Sequence, residues 1–230
     1  MAVWTIIPAA GVGRRFGAAT PKQYLEAAGR PLLAHVLDRF LEAHGVSAIV
    51  LATAAGDDRW RDLVPPRPRL PIIGAAGGST RAESVLAALD AVADKAGPGD
   101  WALVHDAARP CLSAADLRRL LTEAADDPVG GLLATPVVDT LKRADDTGRV
   151  AATVGRNGLW RALTPQMFRF GLLRDALRRA LADGFEITDE ASAMEHAGHR
   201  PLLVAGGAEN IKVTRPADLA LAETILRGRE

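Results

Sequence analysis

The sequence predicts an α/β fold, a doubly wound and mainly parallel sheet carrying a β-hairpin arm. Short β-branched or apolar runs alternate with segments of helical period, which is the pattern of βαβ units. A chain of 230 residues is long enough to bury a sizeable core, and one domain spanning 1–230 is the economical reading. At 48% hydrophobic and 24% charged, the composition is that of an ordinary soluble globular protein and excludes disordered and collagen-like classes.

The elements follow in order. Val3-Trp4-Thr5-Ile6-Ile7 forms a first strand: it lacks a basic leader and meets Pro8 before a signal-length apolar segment is complete. A long connection runs from Ala9 to Arg30, where tight βα loops take about 2–6 residues and longer ones tend to be functional. Leu32, Leu33, Val36, Leu37, Phe40 and Leu41 make the stripe of a first helix, opened by Pro31 and stopped by Gly45. Strands are expected at 48–52 and 70–73, then a helix over 80–92 that Thr80 and Glu83 open with capping-box spacing. A strand at 101–105, a helical stretch through 117–121 and a strand at 132–138 come next. Two short polar-apolar runs then flank Asp145-Asp146-Thr147-Gly148, a hairpin signal that places an arm at about 138–157. Helical stripes at 172–181 and 219–226, and a strand at 202–205, complete the chain.

Charge narrows the function classes. Lys+Arg and Asp+Glu both total 28, so no global field draws in nucleic acid or an anionic membrane, and any anion site must be local. No apolar run reaches the roughly 18 residues of a membrane span. One cysteine excludes an internal disulfide and fits a reducing, cytoplasmic setting.

A local anion site is visible at the first strand's end. Residues 1–25 contain Arg14, Arg15 and Lys22 and no carboxylate, on a loop holding Gly11, Gly13 and Gly17. In open α/β sheets ligands bind at such strand ends, where glycines let backbone N–H groups approach phosphate oxygens. The loop is neither a dinucleotide fingerprint nor a Walker loop, and the second strand lacks the acid that would hold a ribose. Among the 28 basic residues only Lys22, Lys95, Lys142 and Lys212 are lysine. Lys22 and Lys212 sit in polar motifs where a compact point charge suits a single phosphate oxygen.

Three further motifs carry candidates. Gly77-Gly78-Ser79-Thr80-Arg81 through Ser84 follows the third strand, and its small residues would let a flat base lie against the backbone. Thr80 and Glu83 are read as structural, with Gly78, Arg81 and Ser84 left open on spacing alone. Asp106 ends the fourth strand at the ligand edge and is the natural anchor for Mg²⁺, which takes one or two carboxylates plus substrate phosphates. His105 and Cys111 are assigned to packing, and Thr188-Asp189-Glu190 reads as a helix N-cap with acids in the first turn.

Together these segments resemble the 2-C-methyl-D-erythritol 4-phosphate cytidylyltransferases of non-mevalonate isoprenoid biosynthesis. Carrying the resemblance are Pro8-Ala9-Ala10-Gly11-Val12-Gly13-Arg14-Arg15, Pro21-Lys22-Gln23-Tyr24, Gly77-Gly78 through Ser84 and His105-Asp106-Ala107-Ala108-Arg109-Pro110. It continues through Pro136 to Lys142, Arg156-Asn157-Gly158, Leu163-Thr164-Pro165-Gln166, Thr188-Asp189-Glu190-Ala191 and Asn210-Ile211-Lys212. The family implies a Rossmann-like nucleotidyltransferase fold that joins CTP to a polyol phosphate with Mg²⁺ by in-line attack, releasing pyrophosphate.

By resemblance Arg15 and Lys22 are the catalytic cations, joined by Arg156 and Lys212. Ala9, Ala10, Gly11, Gly13, Gly78, Arg81, Ser84 and Asp106 form the CTP pocket, with Asp106 next to the metal. Ala107, Arg109, Thr140, Arg156, Thr164, Thr188 and Lys212 serve the acceptor. A homodimer through the hairpin arm is also implied. Ribitol 5-phosphate cytidylyltransferases share most of these motifs and are the nearest alternative; a nucleotide-dependent oxidoreductase and a non-catalytic nucleotide-binding regulatory module stand further off. Some relatives carry a fused cyclodiphosphate synthase domain, and with the sequence closing at Glu230 that second activity is not expected.

Overall fold

The structure, a computed structural model, describes residues 1–11 and 20–229. Its first strand, β1 (Val3–Ala9), is buried along nearly its whole length. Ile6 points to one face of the sheet and Ile7 to the other, as alternate strand residues do, and both are fully buried. A strand covered on both sides reads as a continuous apolar run, which is how it is legible in sequence. A 3-10 turn at Lys22–Tyr24, the short ribbon of β2 (Glu26–Ala27) and β3 (Arg30–Pro31), and helix α1 (Leu32–Glu42) follow. Pro31 is the N-cap of α1, and Gly45 lies just beyond its end with a left-handed φ of 90°.

The remaining elements are β4 (Ala48–Thr53), β5 (Ile72–Ala76), α2 (Arg81–Asp90), β6 (Trp101–Val104), α3 (Ala114–Glu123), β7 (Gly130–Pro136), β8 (Leu141–Ala144), β9 (Val150–Val154) and β10 (Trp160–Arg169). Helices α4 (Phe170–Ala182) and α5 (Glu190–His196), strand β11 (Leu202–Ala205) and helix α6 (Pro216–Arg227) close the chain. Seven strands form one sheet in the order β11-β7-β10-β6-β1-β4-β5. Neighbours are parallel except at β10, which runs antiparallel to both β6 and β7. Val36, Phe40, Leu117 and Leu120 from α1 and α3 pack on the face that Ile7 shares; Val85, Leu89, Leu173 and Leu177 from α2 and α4 pack on the face of Ile6. This is the doubly wound arrangement. Strands β8 and β9 form the hairpin as a separate ribbon with Leu141 opposite Val154.

Three departures from the expected elements bear on how the sheet is built. The strand expected at 70–73 begins at Ile72, after Pro71, and continues to Ala76. The strand expected at 132–138 starts two residues earlier, at Gly130-Gly131, and ends at Pro136. A Cβ on Gly131 would meet the Leu202 carbonyl oxygen at 2.5 Å, so the close approach of β11 requires a residue that carries no apolar signal. Strand β10 has no counterpart among the expected elements. Pro165, which has no N–H for a ladder, sits within it, and the pairing with β7 shifts register between Ala162 and Gln166.

Candidate active site

The C-terminal edge of the parallel strands opens on a cavity of about 200 Å³. Pro8, Ala9, Ala10 and Gly11 leave β1 on one side of it, and Gly78, Arg81 and Ser84 lead into α2 on another. Asp106, Ala107 and Ala108 follow β6, while Lys22 and Lys212 reach the same space from the 3-10 turn and from the segment before α6. Lys22 is aimed by its neighbour: the buried Gln23 amide donates to the Ala9 carbonyl at 2.7 Å and pins the turn to the end of β1.

The glycine pair has a steric reason. A Cβ on Gly77 would collide with the Ala10 side chain, and one on Gly78 would stand 2.9 Å from Glu83 Oε2. Glu83 and Thr80 form the expected capping box, with Glu83 N–H donating to Thr80 Oγ at 3.1 Å. The Ser84 hydroxyl donates to the Thr80 carbonyl at 2.8 Å and accepts from Gly78 N–H at 3.1 Å. With its proton on the Thr80 carbonyl, Ser84 Oγ keeps a lone pair for a ligand donor.

Charge converges on Asp106, which is 6% exposed. Its Oδ1 accepts from Arg81 Nε at 2.8 Å, and its Oδ2 lies 2.8 Å from Lys212 Nζ and 3.5 Å from Arg109 Nε. Burial by itself would raise this carboxyl, but Arg81, Lys212 and Arg109 outweigh it and hold it well below the usual carboxylate range. Arg109 Nη1 donates to the Asn210 carbonyl at 2.7 Å, and Asn210 Nδ2 to the Thr164 carbonyl at 2.7 Å, tying the Lys212 segment to β6 and β10. Lining the cavity among the described residues, Lys22, Arg81 and Lys212 face one carboxylate, so a neutral chain has a locally cationic pocket.

Behind Asp106 lies a directional relay. Asp106 N–H donates to Thr164 Oγ at 3.1 Å, the Thr164 hydroxyl donates to His105 Nδ1 at 3.0 Å, and His105 Nε2–H donates to the Arg109 carbonyl at 3.0 Å. The Arg109 carbonyl can only accept, so Nε2 carries a proton, and in the neutral imidazole Nδ1 is then the acceptor for Thr164. Burial agrees, pushing His105 down to about 4.

The structure thus gathers Ala9, Ala10, Gly11, Lys22, Gly78, Arg81, Ser84, Asp106, Ala107 and Lys212 around one cavity. Arg109 is packed behind it against Asp106. Thr164, expected at the acceptor, is 4% exposed and holds the Asp106 backbone instead of lining the space. Thr140 and Arg156 are exposed at the base of the hairpin, outside the cavity lining, where Arg156 Nη1 donates to the Val138 carbonyl. Thr188 is exposed ahead of α5, its N–H donating to Ser192 Oγ at 3.1 Å. Gly13 and Arg15 lie outside the described residues.

No group of three or more potential metal ligands occurs among the described residues. Asp106 is the single carboxylate on the described cavity wall and a hard oxygen donor, which fits Mg²⁺ when phosphate oxygens complete its shell. No helix of the described residues is long and apolar enough to cross a membrane.

Comparison with known proteins bears on the chemistry. The sequence profile described as 2-C-methyl-D-erythritol 4-phosphate cytidylyltransferase matches residues 3–228. The chain belongs to that family. A 2-C-methyl-D-erythritol 4-phosphate cytidylyltransferase of Ectopseudomonas mendocina (strain ymp) is 57% identical over 94% of this chain and 92% of its own. One from Dechloromonas aromatica (strain RCB) is 52% identical over 99% and 98%. Among solved structures, a 4-diphosphocytidyl-2C-methyl-D-erythritol synthase superposes with a TM-score of 0.85 at 40% identity, covering 98% of each chain. The 2-C-methyl-D-erythritol 4-phosphate cytidylyltransferase of Thermus thermophilus gives 0.80 at 34% identity, covering 99% of this chain and 100% of that one. These relatives favour the methylerythritol cytidylyltransferase family over the ribitol alternative, and make the chain a nucleotidyltransferase of isoprenoid biosynthesis.

Four residues that position this site were not singled out in the sequence: Gln23, Gln166, Glu190 and Asn210. Gln23 and Asn210 lie inside motifs whose cations carry the stronger signal. Glu190 reads in sequence as a first-turn acid, and only the fold brings it to Arg81.

Proposed function

We propose that the cavity binds CTP and that a phosphate oxygen of 2-C-methyl-D-erythritol 4-phosphate attacks its α-phosphorus in line. The new P–O bond forms as the bond to pyrophosphate breaks, giving 4-diphosphocytidyl-2-C-methyl-D-erythritol. The observation that carries this reading is the meeting of Lys22, Arg81 and Lys212 on one cavity at the strand ends, with Asp106 as its acid. Charge grows on the phosphoryl oxygens in the transition state, and fixed cations stabilise it without reorganising. Lys22, held by the Gln23 anchor, and Arg15 take this role.

Ala9, Ala10 and Gly11 offer backbone to the nucleotide, and Gly78 and Ser84 leave room for a flat pyrimidine while Arg81 binds beside it; Gly13 belongs to the same CTP-binding set by its sequence motif. Asp106 would hold Mg²⁺, which when bound neutralises triphosphate charge and orients its oxygens. Lys212, paired to Asp106 and 40% exposed, is placed to meet the acceptor phosphate, with Ala107 alongside and Arg109 behind. Thr164 acts through Asp106 by fixing its backbone.

Thr140, Arg156 and Thr188 complete the acceptor pocket in this reading, and the two hairpin residues do so across a homodimer. Val138 and Val150 of the arm are 74% and 65% exposed, and a lone two-stranded hairpin is marginal in water, so a second subunit is a fitting surface for it. The enzyme works as one domain in the cytoplasm.

Pyrophosphate release with each nucleotide against methylerythritol phosphate and ribitol phosphate tests the reading. Turnover should require CTP and methylerythritol phosphate together. Faster turnover with ribitol phosphate would overturn the acceptor, and no pyrophosphate from any pair would overturn the activity.

A further inference from the structure

Glu190 is fully buried, and the reaction above does not use it. It is the first residue of α5, and the residues on both sides of it are held by one side chain. Gln166 Nε2 donates to Asp189 Oδ2 at 2.9 Å, while Gln166 Oε1 accepts from Ala191 N–H at 2.8 Å. Gln166 is itself fully buried on β10, so the backbone at position 190 is clamped to the sheet.

From that fixed point the Glu190 carboxylate crosses to α2 and meets the Arg81 guanidinium fork to fork. Arg81 Nη1 donates to Oε1 at 2.6 Å and Nη2 to Oε2 at 3.0 Å, while Nε donates to Asp106. A guanidinium has five N–H donors. Three are engaged here, and the other two have no partner among the described residues, on a side chain that lines the cavity. Asp106 in turn has its second oxygen on Lys212.

We infer that Glu190 is a positioning residue for CTP: it locks the Arg81 fork so that the two remaining donors serve the nucleotide, and it keeps Arg81 from drawing Asp106 away from Lys212. The inference rests on the cavity being the CTP pocket. A bidentate carboxylate fixes a guanidinium in plane and direction, which a single bond to Asp106 would not do. E190Q preserves the volume but turns one acceptor into an amide donor facing an Arg81 N–H.

The test is a double-mutant cycle read by calorimetric CTP binding in the absence of acceptor, using wild type, E190Q, R81M and R81M/E190Q, with folding checked by circular dichroism. E190Q should weaken CTP binding about tenfold or more, whereas R81M and R81M/E190Q should agree within about twofold, because without Arg81 there is nothing for Glu190 to position. R81M/E190Q should also melt above R81M, which leaves a buried carboxylate unpaired. CTP binding by E190Q equal to wild type, or an equal further loss in the R81M background, would leave Glu190 a helix-start residue only and overturn the inference. If E190Q does not fold, E190D, whose carboxylate is one methylene too short to hold both Nη atoms from the same backbone position, takes its place in the cycle with the same expected and overturning results. Wild type that binds no CTP would overturn the pocket itself, a result distinct from wild-type binding with an indifferent Glu190.

Discussion

Thr164 donates its hydroxyl proton to His105 Nδ1 across 3.0 Å, in the interior of the sheet directly behind Asp106. In that direction the bond belongs to a neutral His105. Protonation would make Nδ1 a donor and oblige the Thr164 hydroxyl, already accepting from the Asp106 N–H, to turn its proton away and accept from the imidazolium as well.

Folding stability should therefore fall on acidification. His105 is held down to about 4 by burial, against an ordinary value near 6.5, so between these values the unfolded chain binds a proton that the folded one refuses. Its contribution is complete above pH 6.5 and is lost as pH falls toward 4, at up to about 1.4 kcal/mol per pH unit. Urea denaturation at several pH values should give a shallower slope for His105→Gln than for wild type. Equal slopes would mean that His105 titrates normally.

Asp106→Asn should be both unstable and inactive. It leaves Arg81, Arg109 and Lys212 around a neutral amide, and losing one partner of a buried ion pair costs on the order of 3 kcal/mol. In wild type, the depressed Asp106 value adds stability that is present above about pH 4 and lost below it. A variant with unchanged melting temperature and turnover would remove Asp106 from the centre of the site.

Arg15→Ala and Lys22→Ala should each lower kcat by about 10²–10³, roughly 3–4 kcal/mol of transition-state stabilisation, with a smaller effect on KM for CTP. Steady-state kinetics decides the matter. Wild-type kcat with only a raised KM would assign the residue to ground-state phosphate binding.

Lys22→Ala and Arg156→Ala proteins, each inactive, should complement one another when subunits exchange. Lys22 lines the cavity while Arg156 stands at the exposed hairpin base, so a site shared between subunits takes one residue from each. Half of the dimers are then mixed and half of their sites intact, restoring about a quarter of wild-type activity. No recovery on mixing would place Arg156 in its own subunit's site.

Legibility in the sequence followed signal type. Continuous apolar strands such as β1 and β4 and the stripe of α1 are readable because burial on both faces or one face writes a pattern into the chain. Strand β10 is not readable, since Pro165 and the polar Thr164 and Gln166 interrupt any alternation just where those side chains brace the site. The cations announce themselves through local charge at Lys22 and through scarcity at Lys212. Glu190 and Arg81 are distant in sequence, and no local spacing reports a contact that only the folded chain creates.

The antiparallel course of β10 also bears on how such a chain can change over evolutionary time. Strands β7 and β10 are sheet neighbours with Thr135 opposite Arg161 and Pro136 opposite Trp160, so the arm is an elongated hairpin connection between adjacent strands. Val137 N–H still donates to the Leu159 carbonyl at 3.0 Å beyond the last of these pairs. Residues can be gained or lost at the tip without rethreading the sheet, whose seven-strand order is closed beneath it. The arm is thus free to change in length and surface between relatives, while the strand ends that line the cavity are left untouched.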